Sequence, residues 1–119
     1  MFKVKDRNIT SVEPLEYLAV TEGEEYVIGE ALKFGETATK CGASEKPTHI
    51  CMGKKYMGNV PAMPVLDTTR FEVPYAEKPT VGDAVQLSED ATQVTATTGG
   101  AFTVTGVSEE TKTAFGYFV

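Results

Sequence analysis

The sequence predicts an all-β protein, and three observations carry that prediction. Threonine occurs 16 times and valine 13 times against 5 leucines, and branching at Cβ restricts χ1 in a way that suits a pleated strand better than a helix. Eleven glycines and six prolines punctuate the chain at short intervals, which breaks up helical stretches. Apolar residues recur at i and i+2 rather than at i, i+3, i+4 and i+7, the period of a strand with one buried face. About ten short strands joined by tight turns are expected, arranged as a small β-barrel or a β-sandwich.

Each element follows from local pattern. Met1-Phe2-Lys3-Val4-Lys5-Asp6-Arg7 alternates charge with apolar groups and opens a separate N-terminal arm over residues 1–14. The nearest helix candidate is Thr10 to Leu18, where Thr10 and Glu13 can form a capping box. Pro14 limits it to one turn. Ala31-Leu32-Lys33-Phe34 and Ala84-Val85-Gln86-Leu87 alternate as strands, and Ala101-Phe102-Thr103-Val104-Thr105 sets Phe102 and Val104 on one face with threonines on the other. Gly99-Gly100 between two such patterns reads as a hairpin turn that needs positive φ, not a phosphate cradle. Ala114–Val119 is apolar at nearly every position and predicts a strand buried on both sides.

Sliding the sequence by 53 residues lays 15–53 over 68–106 with 9 identities in 39 positions. Gly29-Glu30-Ala31-Leu32-Lys33-Phe34 falls on Gly82-Asp83-Ala84-Val85-Gln86-Leu87, and Gly35-Glu36-Thr37 on Ser88-Glu89-Asp90. With one shift after Gly53, Val60–Leu66 meets Ala114–Val119. The expected organisation is therefore one β domain over 15–119, built from two pseudo-repeated units of about 52 residues, 15–66 and 68–119, that share a core.

The chain has 119 residues, one domain's worth, and a formal net charge of −6. A phosphate backbone repels such a charge, so nucleic acid is not an expected partner. No apolar run approaches the roughly 20 residues of a membrane helix, and the start lacks a signal core, so synthesis in a cytoplasm and no membrane partner are expected.

Chemistry-bearing residues are sparse. Cys41, His49 and Cys51 are the nearest thing to a metal set, but the spacing is not that of paired zinc ligands and no fourth His or Cys exists. Their repeat counterparts are Val94, Phe102 and Val104, so both cysteines read as small buried hydrophobes kept reduced. No nucleophile, zinc or Walker motif occurs. Glu30 and Asp83 are equivalent in the repeat and can pair as acid and base, although a polar turn entering a strand explains them more simply. No catalytic residue, metal site or cofactor is expected.

Two segments remain unexplained by a core. One is the arm with Phe2, Lys3, Lys5 and Arg7, locally basic on an acidic chain. The other is Gly53-Lys54-Lys55-Tyr56-Met57-Gly58-Asn59, where Tyr56 and Met57 are residue types favoured in protein interfaces. An acidic protein surface complements Lys54 and Lys55. An ordinary edge strand and loop is the alternative for both. Scattered tyrosines and the absence of tryptophan give little support to the alternative of a small ligand- or glycan-binding β-module.

The order Glu16-Tyr17-Leu18, Gly29-Glu30-Ala31-Leu32, Lys46-Pro47-Thr48-His49-Ile50-Cys51-Met52, Pro64-Val65, Gly82-Asp83-Ala84-Val85 and Gln93–Gly100 resembles small proteins encoded near capsid genes in tailed phages and prophages of Gram-positive gut bacteria. These are similar to head decoration, or capsid cement, proteins. The resemblance implies a virion structural role on the capsid surface, with the major capsid protein as partner and a homo-oligomer, often a trimer, as the assembled state. It supplies no catalytic residues, and by analogy it makes the N-terminal arm the clamp.

Overall fold

The structure, a computed structural model, describes residues 1–6 and 15–119. These form eleven strands and, among the described residues, no helix: β1 (Lys3–Asp6), β2 (Glu16–Ala19), β3 (Ala31–Phe34), β4 (Ala38–Lys40), β5 (His49–Cys51), β6 (Asn59–Pro64), β7 (Arg70–Pro74), β8 (Ala84–Leu87), β9 (Val94–Thr98), β10 (Phe102–Ser108) and β11 (Thr113–Phe118). Two antiparallel sheets result. One has the order β1-β7-β11-β10-β8-β9 and the other β2-β6-β5-β3-β4.

The barrel alternative is not formed among the described residues. Each sheet keeps two edges, β1 and β9 in one, β2 and β4 in the other. Single parallel bridges, Val20 to Ala38 and Tyr75 to Val94, approach closure without growing into a ladder, and closure needs a continuous ladder between first and last strand.

Alternation fixes the layers. Ala31, Ile50 and Met63 of the five-stranded sheet join the core of the six-stranded one, with Phe71, Val73, Val85, Leu87, Val94, Phe102, Val104, Ala114 and Phe118. Their neighbours Leu32, Cys51 and Ala62 point the other way, into a second cluster with Leu18, Tyr26, Ala38 and Val60. The five-stranded sheet therefore buries parts of both faces. Tyr26 is buried there because its hydroxyl is satisfied: it donates to the Ala38 carbonyl at 2.6 Å and accepts from the Thr21 N–H at 2.9 Å. Backbone bonds stitch the two sheets together, Ala31 N–H to Ala91 O at 2.8 Å and Leu87 N–H to Ala43 O at 2.9 Å.

The start of the expected arm belongs to the six-stranded sheet. β1 pairs with β7, Lys3 opposite Glu72 and Val4 opposite Phe71. The Phe2 ring lies 5.3–5.8 Å from the rings of Phe71, Phe102 and Phe118. Arg7 and the rest of the arm to Pro14 lie outside the described residues, as does most of the Thr10–Leu18 helix candidate, whose end is strand β2. The last strand also departs from expectation. Ala114 and Phe118 are buried with Gly116, while Thr113, Phe115 and Tyr117 are only half-buried. The outer face of β11 is covered by side chains rather than by a third layer, with the Arg70 guanidinium 4.2 Å from the Tyr117 ring centroid. Gly99 turns the β9–β10 hairpin at φ +88° as its position demands.

Candidate functional site

Exposed apolar side chains are distributed unevenly. Of the ten large ones among the described residues, Met1, Leu15, Tyr17, Val27, Ile28, Met52, Tyr56 and Met57 come from the first 57 residues, and only Val81 and Val119 from the rest. Single exposed apolar residues need no explanation, but a clustered set marks an interaction surface. Several of these are neighbours. Ile28 and Met52 line one groove of about 270 Å³ with Phe2, Lys3, Val4 and Met63. The Met52 N–H bonds the Pro61 carbonyl at 2.9 Å, and Pro61 sits opposite Tyr17 in the β2–β6 ladder. By alternation Tyr17 and Pro61 share a face with Ile50 and Met63, so the strip lies on the side of the five-stranded sheet that turns toward the six-stranded one, beside the core that Phe2 and Met63 enter.

The 53–59 segment rises beside this strip as a hairpin tip. Tyr56 and Asn59 exchange both backbone bonds, at 2.7 and 3.1 Å, around the two-residue loop Met57-Gly58. Met57 at φ +50° and Gly58 at φ +82° are both left-handed, which defines a type I′ turn. Such turns favour Asn, Asp or Gly at both central positions, and a residue with a Cβ loses about 1 kcal/mol in that conformation. Met57 nonetheless occupies the first position with 82% of its surface exposed, and Tyr56 beside it is 75% exposed. Among the described residues, no hydrogen bond, ion pair or ring contact uses either side chain. Lys55 anchors the tip from below, donating to the Glu24 carbonyl at 2.7 Å and pairing with Glu25 at 3.4 Å. Lys54 is exposed.

The remaining candidates separate. Phe2 is 5% exposed, so its ring serves the core and is not available to a partner. Lys3 is exposed on β1, and Lys5 is on the same strand. Lys3 and the hairpin tip flank the strip, Lys3 from the groove that holds Met52 and Lys54 from the loop that follows it.

Cys41 and Cys51 are buried free thiols in different clusters. Cys41 donates to the carbonyls of Gly42 and Glu45, and Cys51 to that of Gly53 at 3.0 Å. Burial pushes the Cys41 thiol up to about 11 and raises Cys51 as well, the opposite of an activated nucleophile. His49 hydrogen-bonds neither. Its Nε2 is 2.6 Å from Glu16 Oε1 and its Nδ1 2.9 Å from Thr48 Oγ1. That hydroxyl also accepts the Phe34 N–H at 2.8 Å, which ties the imidazole to β3. Among the described residues, no group of three or more His, Cys, Asp or Glu is arranged to hold a metal ion. Glu30 is buried, and the charges that act on it are Lys40, Glu24 and Asp90 rather than Asp83.

Sequence reasoning singled out the 53–59 segment as a candidate and did not single out Tyr17, Ile28 or Met52, which the structure leaves exposed. Tyr17 hides among the alternating residues of a short strand, and Val27-Ile28 reads as the entry to a core strand. No family model, curated protein or solved structure matches the chain.

Proposed function

We propose that the protein is a non-enzymatic virion structural protein, a capsid decoration or stabilising protein that docks on the major-capsid-protein lattice of a tailed phage. The observation that carries the docking reading is Met57, an exposed apolar residue with a strained backbone on a hairpin tip beside Tyr56 and Lys54. Strain held at a surface position with no structural return points to use by a partner. The apolar strip through Tyr17, Pro61 and Met52 extends the contact, and Lys3 and Lys54 give it a basic border suited to an acidic protein surface. The capsid as the source of that surface comes from the sequence resemblance, as does a trimeric assembled state on the particle exterior.

The same reading takes the two sheets as copies of one unit. Strand order supports it: without β1, the six-stranded sheet runs β7-β11-β10-β8-β9, and the other runs β2-β6-β5-β3-β4. First, fifth, fourth, second and third strands of each half follow in the same sequence.

The test has two parts. Mass spectrometry of purified particles from the source strain should find the chain in near-stoichiometric ratio to the major capsid protein. Assembled shells should then retain the wild-type protein and lose Tyr56→Ala and Met57→Asn variants at least about tenfold, as expected when a central anchor is removed. Absence from particles, or unchanged retention of both variants, overturns the reading.

A further inference from the structure

Glu30 is 2% exposed, and its Oε1 has no hydrogen-bond partner. Glu24 Oε2 is buried without a partner as well. A buried carboxylate oxygen without a donor is costly, whereas a neutral carboxyl tolerates the same place far better. Four groups from different elements interact electrostatically with Glu30: Lys40 from β4, Glu24 from its own loop, Asp90 from the β8–β9 loop, and the Cys51 thiol from β5. Three of them are acidic groups and one is a cation.

The backbone around Glu30 is the seam between the sheets. Its carbonyl accepts the Cys51 N–H at 2.8 Å, the preceding Gly29 N–H donates to Cys51 O at 2.8 Å, and the following Ala31 N–H crosses to Ala91 O at 2.8 Å. The loop that ends at Glu30 carries Val27 and Ile28 of the exposed strip. It also holds the hairpin, because Lys55 bonds Glu24 and Glu25.

We propose that Glu30 is a proton-operated latch on the contact surface: protonated, it lies neutral in the seam and keeps the 24–30 loop closed, and ionised, it loosens that loop and, through Lys55, the hairpin tip. The consequence for binding rests on the proposed use of that tip, whereas the latch itself does not. Burial pushes the Glu30 carboxyl up to about 7; Lys40 opposes the shift, and Glu24 and Asp90 add to it. In an open loop the carboxyl returns to its ordinary value of 4.5. Between these values the closed form holds a proton that the open form releases, so opening becomes easier as pH rises and levels off above about 7. The surface is therefore firmest on the acidic side.

The experiment is amide hydrogen exchange across residues 24–31 of the full chain, without a partner, from pH 5 to 7.5 and corrected for intrinsic rates. Wild-type protection should fall at least about tenfold across that range, and Glu30→Gln should stay protected throughout. A flat wild-type profile, or an equal fall in Glu30→Gln, overturns the latch. Should Glu30→Gln not fold, carbon-13 titration of the wild-type Glu30 carboxyl decides: a midpoint above about 6 supports the latch and one below overturns it. Loss of particle binding with pH-dependent protection intact rejects only the docking reading. Retained binding with flat protection rejects only the latch.

Discussion

Met57 is the residue where stability and the proposed docking role pull apart. Its left-handed backbone at φ +50° is one that Asn adopts readily and a long apolar side chain does not. Met57→Asn keeps the turn type and relieves the strain, so the variant should be more stable by about 0.5–1 kcal/mol. Equilibrium denaturation reads that gain directly. On the proposed docking role, the same variant should bind capsid shells less well, because the exposed thioether is gone. A substitution that neither stabilises nor weakens binding would show the turn strain to be incidental. The sequence presents Met57 and Tyr56 as interface types, but not the strain: Met-Gly lacks the Asn-Gly or Asp-Gly signature of a type I′ turn, so the φ of Met57 is visible only in the folded hairpin. Glu30 is similar. Gly-Glu-Ala reads as a polar turn entering a strand, and neither its burial nor the charges that act on it, Asp90 of the distant β8–β9 loop among them, are visible in local sequence.

At the scale of elements, local pattern reveals the strands whose partners are near and misreads the one whose partner is far. β3, β8 and β10 lie where alternation places them, and the β3–β4, β8–β9 and β9–β10 turns fall at the Gly and Asp-rich breaks. β1 reads as a solvated arm because lysines alternate with Phe2 and Val4, while its partner β7 lies some seventy residues on, with Asp6 opposite Arg70. The Phe2 ring closes an aromatic cluster with Phe71, Phe102 and Phe118. Truncating it empties a site that neighbouring rigid rings cannot fill, so Phe2→Ala should cost about 3–5 kcal/mol. Urea unfolding with an unchanged m-value and a lower midpoint is the expected result. A loss below about 0.5 kcal/mol, within the range of a surface change, would return residues 1–6 to the status of an accessory arm.

At the scale of the molecule, the question is whether two sheets make one cooperative body. Period-2 patterning predicts each sheet's buried face, but it gives no sign that β3, β5 and β6 bury both. The evidence lies in adjacent pairs: Ala31 with Leu32, Ile50 with Cys51 and Ala62 with Met63 supply opposite clusters from neighbouring positions. Ala31, Ile50 and Met63 complete the core of the six-stranded sheet, and Phe2 reaches that core while its N–H bonds Gly29 of the other half at 3.0 Å. Neither half can close its apolar surface alone, whatever the likeness of their strand orders. Calorimetry of the full chain should therefore show one unfolding transition with equal calorimetric and van't Hoff enthalpies. Residues 15–66 expressed alone should lack cooperative melting, since Ala31, Ile50 and Met63 would face water. Two resolved transitions, or a folded 15–66 fragment, would instead make the halves independent domains joined at the Ala31–Ala91 seam. In that case the Glu30 latch would control the angle between two bodies and not the tightness of one.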